Sequence, residues 1–274
     1  MSRYLSFFPY LGGKFYMLKY ILQLIPPHKI YVEVFGGSGK VLLNKPRSFL
    51  EVWNDYDRRI ANLFHVVVFQ FDEFYEKVRG LVYSRELYKK YKQELSELKQ
   101  IEIGDIDLAV KTYYVMNCMF NGGSNLGGSF AFSKVKNIAL KYWKLLNNLV
   151  KIRERFSNVI FECDDFEKVI KRWDSEDTFF YLDPPYYNVE NYYNGFSRED
   201  HKRLLRLIKE IKGKWLLSGY ANELYDSELK KYNRFEFEIA QRSYYKKNIS
   251  AVKKPRAIEV LWCNYDINNL NKLL

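Results

Sequence analysis

"VEVFGGSGK", residues 32–40, carries the chain out of an apolar, β-branched run, through three glycines and into a helix-like segment. Glycines at such a point let the backbone come close to a ligand, and a helix start offers N–H groups that no carbonyl has claimed. The same passage from strand to loop to helix recurs along the chain. "KIYVEVF" (29–35), "SFLEVWND" (48–55), "NVIFECDD" (158–165), "DTFFYLDPP" (177–185) and "KWLLSGY" (214–220) are rich in β-branched and aromatic residues, and each run stops at Gly, Asp or Asn. Helical patterns lie between most of them, at 57–69, 166–173 and 198–212. In the last, Leu204, Leu205, Leu207, Ile208 and Ile211 form an apolar stripe beside a basic face. This alternation predicts an α/β fold with a mostly parallel sheet covered on both sides. The end differs: "RFEFEIAQ" (234–241) and "AIEVLWCNY" (257–265) flank a basic loop, "KKNISAVKKPR" (246–256), as an antiparallel hairpin at the sheet edge would.

One gap interrupts the rhythm. Between Asp55 and Asn158 no further strand of the sheet is expected. A connection within such a sheet is normally short. Residues 70–155 therefore read as an inserted helical lobe, with 1–69 and 156–274 forming the sheet domain. Its helices are expected in "EFYEKVRGLVYSRELYKKYKQELSEL", "DLAVKTYYVMNCMF" and "IALKYWKLLNNLVKIRERF". Between the second and third lies "NGGSNLGGSFAFSK" (121–134), a Gly/Ser/Asn loop.

The 274 residues are 47% hydrophobic and 28% charged, enough for a real core and unlike a disordered chain. No apolar run is long enough to span a membrane, and the N-terminus lacks the apolar stretch of a signal peptide, so a cytoplasmic protein is expected. Three cysteines (Cys118, Cys163, Cys263) and three histidines (His28, His65, His201) are scattered, which predicts reduced thiols and no metal site. The net charge of +11 favours a polyanion partner, and the 24 tyrosines among basic residues suit base stacking, although most will simply pack.

The glycine loop fits neither common phosphate motif. A phosphate-binding loop would need Ser or Thr after Lys40, where Val41 stands. A dinucleotide fingerprint would need glycine at Leu42. Asp55 ends the next strand, where an acid commonly accepts from ribose hydroxyls. A tight turn accounts for the loop equally well. If it binds a ligand, that ligand is a nucleoside without a pyrophosphate clamp, and S-adenosyl-L-methionine fits that description.

"FYLDPPYY" (180–187) sharpens the reading. An exocyclic amine such as adenine N6 is a poor nucleophile, because its lone pair is delocalised into the ring. A carboxylate and a backbone carbonyl that accept from both of its N–H groups would draw the nitrogen toward tetrahedral geometry. Asp183 supplies the first, and the carbonyl of Pro184 the second. Pro184 and Pro185 fix the backbone, so the acceptors are in place before substrate arrives. Tyr186, or Tyr187 beside it, offers a face for the base. A base inside a duplex must be flipped out to reach such a corner. No metal is called for, since a sulfonium already makes its methyl electrophilic.

With these motifs in this order, the chain resembles the Dam-type adenine-specific DNA methyltransferases, the α arrangement of amino-methyltransferases. The likeness runs from about Phe8 to Tyr265: "PYLGGKFYMLKYI", "VEVFGGSGKVLLN", "VWNDYDRRIANL", "FECDDFEKVI", "YLDPPYY", "MFNGGSNLGGSFAFS" and "QRSYY…KKPRAIEVLW". The resemblance implies a Rossmann-like methyltransferase sheet with a helical target-recognition lobe at 70–155. It implies S-adenosyl-L-methionine as cofactor and double-stranded DNA as partner, and it is compatible with a cognate restriction endonuclease. Carried over by position, Tyr10 and Lys14 contact the cofactor, Lys14 its carboxylate. Phe35, Gly37 and Gly39 line the methionine and ribose region, and Asp55 takes the ribose. Asp165 accepts from the cofactor's amino group, and Phe166 packs on its purine. Asp183, Pro184, Pro185 and Tyr186 form the catalytic turn. DNA contacts fall to Asn121, Asn125 and Lys134, and to Arg242, Lys246, Lys247, Lys253 and Lys254. Lys14 could instead simply begin a helix, and Asp165 could be only a helix N-cap. An RNA adenine, a cytosine N4, or nucleic-acid binding without catalysis on the same fold remain alternatives at this point.

Overall fold

The computed structural model describes residues 4–10, 14–120, 126–187, 196–240 and 256–267. Among them, seven strands form one sheet in the order β3-β2-β1-β4-β5-β7-β6. β1 (Ile30–Glu33), β2 (Leu50–Asn54), β3 (Val159–Glu162), β4 (Thr178–Leu182) and β5 (Lys214–Tyr220) run parallel. β6 (Asn233–Ala240) and β7 (Arg256–Cys263) are an antiparallel pair, and β7 lies between β5 and the outer β6.

Alternate residues of each strand enter different cores. Tyr31, Trp53, Phe179, Tyr181, Leu216 and Leu261 face one; Val32, Val52, Phe180, Trp215, Leu217 and Val260 face the other. Burial on both faces is why these strands read as nearly continuous apolar runs. Eight helices share the first core: α1 (Leu18–Leu24), α2 (Lys40–Asn44), α3 (Arg58–Phe69), α4 (Phe71–Arg79), α5 (Arg85–Ser96), α6 (Ile106–Cys118), α7 (Ile138–Leu146) and α8 (Leu149–Phe156). On the second lie α9 (Phe166–Trp173), α10 (Arg198–Leu207) and α11 (Glu223–Glu228).

Helices α3 to α8 fill the long connection between β2 and β3, and α4 to α8 occupy the expected insertion. Two segments expected as single long helices are each split in two. The first breaks at Gly80–Ser84, where the Ser84 hydroxyl accepts from the Leu87 amide and starts α5 afresh. The second breaks at Asn147–Asn148, between α7 and α8. Helix α6 is buried on almost every side and packs against α3, and Tyr113 on it meets Phe7 at a ring separation of 5.7 Å. The inserted helices therefore continue the core on one face of the sheet. A buried ion cluster fastens α8 to β2: Glu51 accepts from Arg155 at 2.6 and 2.9 Å and from Lys45 at 2.6 Å.

The strand order reverses between β1 and β4. In open α/β sheets the ligand crevice lies outside the carboxyl ends of strands at that reversal. The glycine loop follows β1 and the Asp-Pro-Pro turn follows β4, so the two segments singled out by sequence emerge side by side.

Candidate active site

The glycines after β1 are required for separate reasons. A Cβ on Gly36 would lie 2.1 Å from Nε1 of buried Trp53. Gly37 and Gly39 have φ of 48° and 61°, in the left-handed region. The Gly36 N–H donates to the Asn54 carbonyl at 2.7 Å, and the Gly39 N–H to the Gly36 carbonyl at 2.7 Å. The Tyr10 ring lies against the loop, so close that a Cβ on Gly37 would come within 2.8 Å of it.

Asp55, at the end of β2, takes the Gly37 N–H at 2.6 Å and the Asp57 N–H at 2.8 Å. Burial, and then the charge of Asp57, push its carboxyl up to about 7 against the pull of those two amides. Beside it, the Asn54 side chain donates to the Val34 carbonyl at 2.8 Å and accepts from the Asp164 amide at 2.9 Å. One buried amide thus joins the ends of β1, β2 and β3.

Phe35, Phe166 and Phe196 form an aromatic cluster with ring separations of 5.5–5.7 Å. Asp165 is the N-cap of α9, accepting from the Glu167 amide at 2.9 Å, and its other oxygen takes the Arg203 guanidinium at 2.7 Å. Arg203 also lies 4.4 Å over the Phe166 ring. The capping role is therefore present, and both carboxylate oxygens are engaged.

In the turn after β4, Pro184 is buried and Pro185 and Tyr186 are half-buried. Lys14 Nζ lies 2.6 Å from Asp183 Oδ1 and 3.5 Å from Glu259 Oε1. Ser218 on β5 donates to the same Oδ1 at 2.9 Å; Oδ2 carries none of these contacts. The Tyr186 hydroxyl donates to Glu259, and the Lys14 ammonium lies 4.6 Å over the Tyr186 ring. Burial pushes the Asp183 and Glu259 carboxyls up from their ordinary values, and Lys14 offsets part of the rise. Burial alone would lower the Lys14 ammonium, but the two carboxylates outweigh it and lift it above the usual lysine value. The sequence reading put Lys14 on a cofactor carboxylate; in the structure its ammonium pairs with Asp183 and Glu259.

Sequence reasoning missed Glu259, Ser218, Asn54 and Arg203. Glu259 had one signal, a lone acid inside the apolar strand "AIEVLW". Lys134 is exposed, close after an antiparallel bridge between Met119 and Phe130. Asn121, Asn125, Arg242, Lys246, Lys247, Lys253 and Lys254 lie outside the described residues. Among the described residues, no group of His, Cys, Asp and Glu could hold a metal ion, and no helix is long and apolar enough to cross a membrane.

A sheet of this order, with a glycine loop and an Asp-Pro-Pro-Tyr turn at its reversal, defines an enzyme of the Rossmann-like methyltransferase class. The family profile of the D12 class N6 adenine-specific DNA methyltransferases matches residues 10–249. The chain belongs to that family, and it methylates adenine N6 in DNA. It is 24% identical over 249 residues to the type II methyltransferase M.CviBI of Paramecium bursaria Chlorella virus NC1A, covering 82% of this chain and 89% of that protein. It is 26% identical over 226 residues to the DNA adenine methylase of Escherichia coli (strain K12), covering 77% of this chain and 78% of that protein. It also matches the modification methylase StsI of Streptococcus sanguinis at 23% over 218 residues, covering 73% of this chain and 32% of that protein.

Proposed function

We propose that this chain takes the methyl group from S-adenosyl-L-methionine and delivers it to an adenine flipped out of double-stranded DNA, with Asp183 and the Pro184 carbonyl gripping the amino group. The observation that carries this reading is the state of Asp183. One oxygen is fixed by Lys14 and Ser218, and the other carries neither contact, beside a proline pair that offers no competing donor.

The residues after β1, β2 and β3 suit the cofactor. Gly37 and Gly39 hold left-handed backbone where a Cβ would meet the Tyr10 and Phe156 rings, Asp55 is an acceptor for ribose hydroxyls, and Phe35 and Phe166 offer a wall for a purine. Tyr10 closes the loop from the other side. When bound, the cofactor supplies an electrophilic methyl on a sulfonium. The protein's part is to orient the amine: Asp183 and Pro184 accept its hydrogens, and Tyr186 gives the base a surface. Asp165 reaches a cofactor amino group only by sharing its contact with Arg203.

The helices of 70–155 act as the target-recognition lobe. Their loop base is held rigidly: the Tyr88 hydroxyl and the Lys92 ammonium donate to the Gly128 carbonyl at 2.7 and 2.8 Å. Exposed Phe120 and Phe132 and the Arg85 guanidinium, 5.1 Å over the Phe132 ring, face outward there. Lys134 and the lysines of 246–254 suit phosphate contacts. The names of the type II and modification methylase relatives support a restriction-modification role with a cognate endonuclease as partner.

The test is to incubate the protein with duplex DNA and tritiated S-adenosyl-L-methionine, digest the DNA and separate the nucleosides. Label should appear in N6-methyldeoxyadenosine. Label in N4-methyldeoxycytidine, label accepted only by RNA, or DNA binding with no transfer would each replace this reading.

A further inference from the structure

Glu259 is an anomaly of its strand. Its neighbour Ile258 is 45% exposed, whereas Glu259 is 3% exposed, so the acid points inward and the apolar residue outward. A buried carboxylate is tolerated only when paired, and a well-packed apolar residue in its place is often no less stable. Holding the sheet together therefore does not require it. We propose that Glu259 is a positioning residue of the reaction: its carboxylate shares the Lys14 ammonium with Asp183 and receives the Tyr186 hydroxyl, so that one acid on β7 sets both the counter-ion and the ring of the catalytic turn. The inference rests on the reading of Asp183 given above.

The charged and titratable groups around Asp183 come from several elements. Lys14 precedes α1, Tyr186 follows in the turn, and Glu259 is on β7. Glu33 on β1 is occupied by the Tyr31 hydroxyl at 2.8 Å and the Leu42 amide at 2.7 Å. Tyr181 on β4 reaches Ser218 on β5 at 3.2 Å. Lys14 is thus the cation placed between two carboxylates. Held by Asp183 alone, it would neutralise the oxygen pair that must draw on the substrate's amino hydrogens. Glu259, at 3.5 Å, takes a share of that charge. The same carboxylate fixes the Tyr186 hydroxyl, while the Tyr220 ring packs against the Tyr186 ring in a T-shaped arrangement with centroids 4.5 Å apart. The ring is thereby held at a set angle before a base arrives.

The test compares Glu259→Gln, Lys14→Met, the double variant and Asp183→Ala in the full chain. Methyl transfer is followed in a single turnover at several pH values, with cofactor affinity measured separately by calorimetry. Glu259→Gln should slow transfer about 30- to 100-fold, as a misplaced reacting group does, and leave cofactor affinity unchanged. Its acid limb should move to lower pH, because Lys14 then rests wholly on Asp183. Lys14→Met should move the limb to higher pH, since burial is then unopposed, and the double variant should fall between. Wild-type transfer in Glu259→Gln, or a loss that leaves the limb in place, would overturn the inference. If Glu259→Gln does not fold, Tyr186→Phe serves: it keeps the ring and removes the donor to Glu259. Transfer about tenfold slower with unchanged cofactor affinity is then expected, and an unchanged rate overturns the inference. Turnover surviving in Asp183→Ala would instead defeat the underlying reading.

Discussion

The Gly37 amide donates to the Asp55 carboxylate at 2.6 Å, which closes the loop after β1 onto the end of β2. The proposed cofactor site is built on that contact, and the carboxyl is pushed up to about 7 by burial and by Asp57. As the pH falls through that value, Asp55 gains a proton and loses acceptor strength toward a ribose. Cofactor affinity should be about tenfold weaker at pH 6 than at pH 8, following the shrinking ionised fraction. Calorimetric titration at the two pH values measures it, and Asp55→Asn should abolish the slope.

Asn54 joins three strand ends through one side chain, buried to 1% exposure. Asn54→Ala strands the Val34 carbonyl and the Asp164 amide without their partner. A loss of about 1–3 kcal/mol is expected in urea denaturation, as for other buried groups left unsatisfied. Cofactor affinity should fall as well, because both flanking loops lose their tie.

Gly36 fails as alanine for a purely steric reason. The added methyl would overlap the indole of Trp53, which is itself fully buried beneath α3 and cannot swing aside. Overpacking of this kind costs about 1–3 kcal/mol, and the urea midpoint should fall accordingly. An unchanged midpoint would show that the indole has room to move.

The Glu51 cluster makes a pH-dependent contribution. Burial alone would raise the carboxyl, but Arg155 and Lys45 outweigh it and hold Glu51 below its usual value of 4.5. A depressed carboxyl stabilises the fold above its ordinary range, and that contribution is lost as pH falls through the folded value. Glu51→Gln should cost about 3–5 kcal/mol at pH 7, because two buried cations lose their partner. The gap between wild type and variant should narrow toward pH 4 in urea titrations.

The sheet was legible because its strands are buried on both faces and carry runs such as Phe179–Leu182 that little else explains. The glycine loop, Asp55 and the turn at Asp183 were legible because backbone geometry dictates residue type there. The inserted helices were legible as helices, but not their breaks: Gly80 and the Asn147–Asn148 pair are only weak interruptions until Ser84 and the core choose the new starts. Lys14 reads in the sequence as a cofactor contact, and its pairing with Asp183 is not legible there, because that contact joins distant parts of the chain. Glu259 and Arg203 escaped for the same reason. Each looks like an ordinary charged residue of its own strand or helix until the sheet brings it to the crevice.

Replacement of Asp183 by alanine, followed by a single-turnover assay and a cofactor titration on the same preparation, tests the account at its centre. Methyl transfer to adenine should vanish while cofactor affinity stays within about threefold of wild type, the pattern of a group that acts on the reacting amine rather than in ground-state cofactor binding. Retained transfer, or an equal collapse of cofactor binding, would contradict the account.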